Sequence, residues 1–140
     1  MTAARRALVT GGAGFIGGHI VERLIADGWS VRVLDDFSSG REDNLAGVRQ
    51  HVEVLKGDIR DEALVARAVE GREVVFHQAA VPSVPRSVAE PVRTNDVNVN
   101  GTLNVLEQSR QAGVRRLVYA ASSSAYGDTP TLPKIETMPA

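Results

Sequence analysis

The 140-residue sequence contains no cysteine, and this absence excludes a disulfide-stapled scaffold, thiol chemistry and a cysteine-ligated zinc cluster. The three histidines lie far apart in the chain, so we expect no metal site. A large excess of either charge is also absent, because 16 basic residues stand against 17 acidic ones. Such a chain lacks the excess of basic residues that is typical of proteins that bind nucleic acid or a membrane surface, so neither partner is expected.

Long hydrophobic runs are missing as well. No apolar stretch approaches the roughly 20 residues of a membrane-spanning helix, and residues 1–6 lack the apolar segment of an export signal. We therefore expect a cytoplasmic protein. Its 43% of hydrophobic and 24% of charged residues are typical of a globular chain, and its length suits one domain with one core.

The most informative feature that is present is a glycine-dense turn after the apolar residues 7–9. Two registers fit, Gly12-x-Gly14-x-x-Gly17 and Gly11-x-x-Gly14-x-x-Gly17. Glycine permits a tight turn, close approach of a ligand to the backbone and close packing of a helix on its strand. The N–H groups and the dipole at the start of the following helix attract phosphate. The turn therefore indicates a dinucleotide site, although glycine spacing alone is a weak signal.

The residues after the turn support this interpretation. Ile16, Ile20 and Leu24 recur at helical spacing, and a second apolar segment, residues 30–34, leads into Asp35. This places Asp35 close to the roughly 20-residue offset at which a carboxylate accepts hydrogen bonds from an adenosine ribose. An acid there repels a 2′-phosphate, so the sequence predicts NAD rather than NADP. The alternative is a glycine-rich loop followed by an unrelated surface aspartate.

Strand-like and helix-like segments alternate along the chain, which predicts an α/β fold built from βαβ units. We expect strands at residues 5–10, 30–35, 51–56, 73–77 and 115–121, and helices at residues 15–27, 61–70 and 95–112. The first, fourth and fifth strands are continuous apolar runs, so they are expected to be central and buried on both faces. With right-handed crossovers, this predicts a Rossmann-type, doubly wound parallel sheet of order 3-2-1-4-5. Its ligand crevice should open at the carboxyl ends of strands one and four.

The domain organisation follows from the same pattern. Residues 1–127 are expected to form the dinucleotide-binding domain. Residues 128–140 contain three prolines and little periodicity, so an irregular tail is predicted there.

Further motifs occur in a fixed order after the glycine turn. They are Asp35-Asp36-Phe37-Ser38-Ser39-Gly40, Gly57-Asp58-Ile59-Arg60-Asp61, His77-Gln78-Ala79-Ala80, Asn98-Val99-Asn100-Gly101-Thr102 and the segment Tyr119–Asp128 with its serine run. Together they resemble the extended short-chain dehydrogenase/reductase family. The resemblance is closest to its NAD-dependent nucleotide-sugar 4-epimerases, the enzymes acting on UDP-N-acetylglucosamine or UDP-glucose, and covers only their N-terminal part.

The resemblance implies NAD as the cofactor and a set of residues that contact it. Asp58 is expected beside the adenine amino group, although it could instead be an aspartate in a turn before a helix. Ala79 and Ala80 are small enough to make room for the ribose and the pyrophosphate, and His77 is interpreted as a packed histidine rather than a catalyst. The full expected set is Gly11, Gly14, Phe15, Ile16, Gly17, Asp35, Asp36, Ser38, Ser39, Gly40, Asp58, Ile59, Gln78, Ala79, Ala80 and Asn98.

Asn98 and Asn100 lie beside the apolar residues Val99, Leu103 and Leu106 of the third predicted helix, which suggests that both asparagines make inward polar contacts. Asn98 matches a family asparagine near the cofactor. Asn100 is expected to satisfy buried backbone groups.

The resemblance also implies a catalytic serine, which falls at Ser122, four residues before Tyr126. Ser83, Ser123 and Ser124 are expected to contact a UDP-sugar substrate, although Ser123 and Ser124 could instead cap the strand. The implied reaction is 4-epimerisation of a UDP-hexose or UDP-N-acetylhexosamine through a transient 4-keto sugar. Dehydratase, decarboxylase or reductase chemistry of the same family, or a non-catalytic NAD-binding module, are the alternatives.

One family feature, the Tyr-x-x-x-Lys pair that removes the sugar hydroxyl proton, does not occur in the sequence. Tyr119 and Tyr126 have Ser123 and Pro130 four residues later. A phenol with a pKa near 10 needs a neighbouring lysine to act as a base. We therefore expect a fragment that stops before the sixth strand, the catalytic helix and the substrate lobe, and that cannot epimerise sugars. Its family homodimer should be impaired, with marginal stability or self-association.

Overall fold

The computed structural model describes residues 4–139, which form a five-stranded parallel sheet. The strands are β1 (Arg6–Thr10), β2 (Ser30–Asp35), β3 (Val52–Lys56), β4 (Val74–His77) and β5 (Arg116–Tyr119). Their spatial order is β3-β2-β1-β4-β5. The predicted doubly wound order is therefore confirmed.

Helices cover both faces of this sheet. They are α1 (Phe15–Ala26), α2 (Glu62–Val69), α3 (Val84–Ala89), α4 (Pro91–Asn95) and α5 (Thr102–Gln111), with a π-helical segment (Asp96–Gly101) joining α4 to α5. Short 3₁₀ turns lie at Glu42–Leu45, Arg49–His51 and Ser123–Tyr126. Residues 128–139 contain neither helix nor strand.

The core is divided by β1, whose apolar side chains are completely buried. Because successive side chains of a strand point to opposite faces, Val9 packs with α1 on one side of the sheet and Leu8 packs with α2 and α5 on the other. Each face adds its own apolar residues. The α1 side contains Val21, Leu24 and Val33, and the other side contains Leu34, Val65, Val75 and Val105.

The prediction that the fifth strand is central and buried on both faces is wrong. Within residues 4–139, β5 pairs only with β4, so it forms the edge of the sheet. Val118 is 41% exposed and Tyr119 55% exposed. An apolar run indicates that a strand is hydrophobic, but it does not determine how many other strands pair with it.

The helical region between β4 and β5 also differs from the prediction. Helix α3 was not predicted, and the following helical stretch begins at Pro91 rather than at residue 95. Signals for both starts were present, because the Ser83 side chain caps α3 and proline suits the first turn of a helix. The apolar stripe of residues 99, 103 and 106 is exposed, and Val105 lies on the buried side instead.

Candidate functional site

A cavity of about 830 Å³ opens at the carboxyl ends of β1 and β4, where the sequence places the ligand crevice. Every residue predicted to bind the cofactor lines this cavity. Ser83 and Ser122 line it as well. The topology therefore brings together motifs that are far apart in the chain.

The glycine turn between β1 and α1 forms one wall of the cavity, and its backbone leaves no space for side chains. Gly11 has φ +68°, and a Cβ there would lie 2.7 Å from the backbone nitrogen of Ala79. A Cβ on Gly17 would overlap the carbonyl oxygen of Gly11. No side chain among the described residues caps α1 at Gly14, and its first turn carries no acid. The start of α1 therefore offers N–H groups and the positive end of the helix dipole to an anion.

Asp35 lies at the end of β2 and is only 7% exposed. One oxygen of its carboxylate accepts a hydrogen bond from the Ala13 N–H, and the other accepts one from the Phe37 N–H, both at 2.9 Å. Each carboxylate oxygen has two lone-pair sites, so each can accept a further bond. The acid is held rigidly beside the glycine turn and can still receive hydroxyl groups from the cavity.

A residue that the sequence analysis missed, Asn44, covers the glycine turn from outside. Its side-chain amide donates to the Ala13 carbonyl at 2.7 Å, and the Arg41 N–H donates to the same oxygen at 3.0 Å. A signal for it existed. A tight buried turn needs donors for its carbonyl groups, and Asn44 is the only asparagine in the polar loop at residues 36–44.

Asp58 lies on the cavity wall after β3 and is bound by Arg60. The Arg60 guanidinium contacts the Asp58 carboxylate at 2.6 Å and the Asp96 carboxylate at 2.7 Å. The hydrogen bonds from Arg60 lower the pKa of Asp58, so the carboxylate stays an acceptor. Asp58 also accepts the backbone N–H of Arg60 at 2.8 Å, which is the turn role of the alternative interpretation. The structure thus places Asp58 both in the turn and at the cavity.

Asn98 holds the segment that follows β4. Its side chain accepts the Val81 N–H at 2.8 Å and donates to the Val81 carbonyl at 3.2 Å. The expectation for Asn100 is wrong, because its side chain is on the exposed side and donates to Asp96. Asn104, on the buried side of α5, satisfies a backbone group instead by donating to the Ile59 carbonyl at 2.8 Å.

His77 ends β4 and is 2% exposed. Its Nδ1 lies 2.6 Å from the Thr10 hydroxyl, and its Nε2 lies 2.9 Å from the Thr102 hydroxyl. Burial lowers the pKa of His77 to about 4, so the ring is neutral near pH 7. The interpretation of His77 as a packed histidine agrees with these contacts.

The three serines after β5 lie in two different environments. Ser122 lines the cavity, and its hydroxyl oxygen accepts the Ser124 N–H at 3.1 Å. Ser123 and Ser124 lie in the following 3₁₀ turn and outside the cavity lining. Their substrate contacts, and that of Ser83, which caps α3, stay predictions.

A glycine turn before a helix, an acid on the neighbouring strand and a crevice at the sheet's switch point together define a dinucleotide-binding α/β domain. Comparison with known sequences agrees with this class. Residues 7–140 match the NAD dependent epimerase/dehydratase family, and the chain belongs to that family. The predicted family resemblance is confirmed, and NAD is confirmed as the family's cofactor.

Individual relatives are similar over nearly the whole chain. The chain is 48% identical over 138 residues to a UDP-glucose 4-epimerase of Mycolicibacterium smegmatis, an alignment that covers 96% of this chain and 44% of the relative. The Thermus thermophilus UDP-glucose 4-epimerase, solved in complex with NAD, superposes with a TM-score of 0.84 at 44% identity, covering 96% of this chain and 43% of that one. A UDP-N-acetylglucosamine 4-epimerase from Methanobrevibacter ruminantium superposes with a TM-score of 0.86 at 35% identity, covering 99% of this chain and 44% of that one. The chain thus spans less than half the length of these relatives.

No helix within residues 4–139 is long and apolar enough to cross a membrane. The cytoplasmic location stays a prediction.

Proposed function

We propose that the 140-residue chain is the NAD-binding part of a nucleotide-sugar 4-epimerase whose substrate is a UDP-hexose or a UDP-N-acetylhexosamine. The observation that carries the proposal is the position of the Asp35 carboxylate, hydrogen-bonded to the glycine turn in the wall of the cavity. The family match and the names of the relatives support the reaction and the substrate class.

The glycine turn fits a pyrophosphate. The backbone at Gly11 and Gly17 is so closely packed that any Cβ would meet main-chain atoms. These glycines therefore let the turn pack tightly against α1 and the segment after β4, and the open N–H groups at the start of α1 can donate to phosphate oxygens. The positive end of the helix dipole partly offsets the negative charge of the phosphates.

Asp35 fits the adenosine ribose. Both of its oxygens are fixed by backbone N–H groups and retain free lone pairs, so the carboxylate can accept from the ribose hydroxyls. A 2′-phosphate would place negative charge beside this acid, so NAD should bind more tightly than NADP.

Ser122, which lines the cavity, is proposed to act beside the reacting part of the cofactor. NAD held at this site would supply the acceptor for the hydride that leaves the sugar and later returns to it. The Ser122 hydroxyl accepts the Ser124 N–H, which leaves its own proton free to donate to a sugar oxygen at the cavity wall. The 140 residues contain no Tyr-x-x-x-Lys pair to remove the hydroxyl proton, so we propose that they bind NAD without turning over a UDP-sugar.

A homodimer is also part of the proposal for the longer enzyme. The exposed side chains of Val99, Leu103 and Leu106 form an apolar stripe on the outer side of the helical stretch, and such a stripe suits an interface. For the 140 residues alone we expect weakened dimerisation.

Isothermal titration calorimetry of the 140-residue chain with NAD and with NADP tests the cofactor part of the proposal. We expect saturable binding of NAD and weaker binding of NADP. A chain that is folded by circular dichroism and yet shows no saturable NAD binding would contradict the proposal. Epimerisation of UDP-glucose or UDP-N-acetylglucosamine by the purified chain would contradict the proposed lack of turnover.

A further inference from the structure

Ala13, in the middle of the glycine turn, is held through both of the peptide groups that flank it. Its N–H donates to the Asp35 carboxylate at 2.9 Å. Its carbonyl accepts from the Asn44 side chain at 2.7 Å and from the Arg41 N–H at 3.0 Å. Ala13 itself is completely buried.

The segment that carries Asn44 is packed tightly against the turn. A Cβ on Gly40 would lie 2.9 Å from both the Ala13 Cβ and an Asp35 carboxylate oxygen. A Cβ on Gly18, in α1, would lie 3.2 Å from the Asn44 carbonyl oxygen. These contacts place the Asn44 backbone close to α1, where its side-chain amide reaches the Ala13 carbonyl.

The orientation of the Ala13–Gly14 peptide, which carries this carbonyl, matters because it immediately precedes the first N–H groups of α1. Without the Asn44 side chain this peptide would keep only two main-chain bonds, from the Arg41 N–H and to the Gly11 carbonyl, and it could tilt so that the following N–H groups converge less well. The Asp35 bond holds the preceding Gly12–Ala13 peptide and does not fix this one.

We propose that Asn44 is a positioning residue for the diphosphate of the cofactor, acting through the Ala13–Gly14 peptide. The inference rests on the proposed NAD site. It assigns a role in binding to a residue that is outside the cavity lining.

The test compares ADP with adenosine, because the ratio of their affinities isolates the contribution of the diphosphate. In the Asn44→Ala chain we expect this ratio to fall about tenfold, which corresponds to about 1.4 kcal/mol and to one hydrogen bond. Adenosine affinity should change by less than about twofold. NMR titration of the 140-residue chain measures both ligands under the same conditions.

Asn104→Ala is the matched control, because it removes a similar bond, from a side-chain amide to the Ile59 carbonyl at 2.8 Å. The ADP-to-adenosine ratio should stay at its wild-type value in this variant. Asn44→Asp provides a second perturbation that keeps the side-chain size but turns a donor toward the carbonyl into an acceptor. We expect Asn44→Asp to lower the ratio of ADP affinity to adenosine affinity more than Asn44→Ala does.

The outcomes separate this inference from the proposed function. If the wild-type chain binds neither NAD nor ADP, the proposed function fails. If the wild-type chain binds both and the Asn44 variants keep its ratio, only the positioning role is refuted. An equal loss of adenosine and ADP affinity would also refute it, because a general structural defect would weaken both ligands alike.

Discussion

Replacing Asp35 with asparagine removes one charge and one acceptor from a nearly closed site. The two carboxylate oxygens accept two separate backbone N–H groups, from Ala13 and Phe37. An asparagine side chain has only one oxygen, so one of these N–H groups must face an NH₂ group. At 7% exposure, water cannot easily replace the lost partner.

The expected magnitude has two parts. An unsatisfied buried donor costs about 1–3 kcal/mol, so the free energy of unfolding should fall by that amount. Loss of a charge-assisted hydrogen bond to the ribose costs about 1.5–3 kcal/mol, which is about 10- to 150-fold in NAD affinity. Discrimination against NADP should weaken at the same time, because the repelling charge is gone.

Urea denaturation measures the first effect, and calorimetric titration with NAD and NADP measures the second. Asp43→Asn is the control, since it makes the same change of net charge in the segment that follows β2, at a side chain that is 84% exposed. Asp43→Asn should resemble the wild type in both assays. If Asp35→Asn bound NAD with wild-type affinity and kept wild-type selectivity, the assignment of the ribose site would be wrong.

Three other predictions test separate parts of the structure. Gly11→Ala should abolish detectable NAD binding by calorimetry, because a Cβ at φ +68° would lie 2.7 Å from backbone nitrogen. In the unfolded chain His77 becomes protonated below its ordinary pKa of 6.5, whereas in the native protein burial lowers the pKa of His77 to about 4 and the ring stays neutral down to that pH. Stability should therefore fall by about 3 kcal/mol between these pH values, and His77→Gln should flatten this part of the denaturation profile. Leu103→Glu should reduce self-association in sedimentation experiments, since Leu103 is 62% exposed.

The order of the sheet could be predicted because it depends on local patterns. Apolar runs, helical spacing and the glycine turn each reflect a preference of residues that are close in sequence, and right-handed crossovers reduce the possible orders to few. The same reasoning located Asp35, whose offset from the turn follows from the length of one helix and one strand.

Features that depend on distant neighbours could not be predicted. The exposure of β5 depends on how many strands pair with it, which its own sequence does not record. Asn44 acts on a turn much earlier in the chain, at Ala13, through a loop with no periodicity. The error at Asn100 has a local cause instead, because positions two residues apart on a helix point to nearly opposite sides and Asn98 already faces inward. The inward contact of Asn104 depends on the Ile59 carbonyl, which lies far away in the chain.

In the proposed function, the start of α1 and the end of β2 together hold a dinucleotide. The most direct measurement is a titration of the ¹⁵N-labelled chain with NAD, followed by amide chemical shifts. We expect the largest saturable changes at Gly14, Phe15, Ile16 and Gly17 and at the residues just after Asp35. Changes confined to other surfaces, or none in a chain whose spectrum is folded, would contradict it.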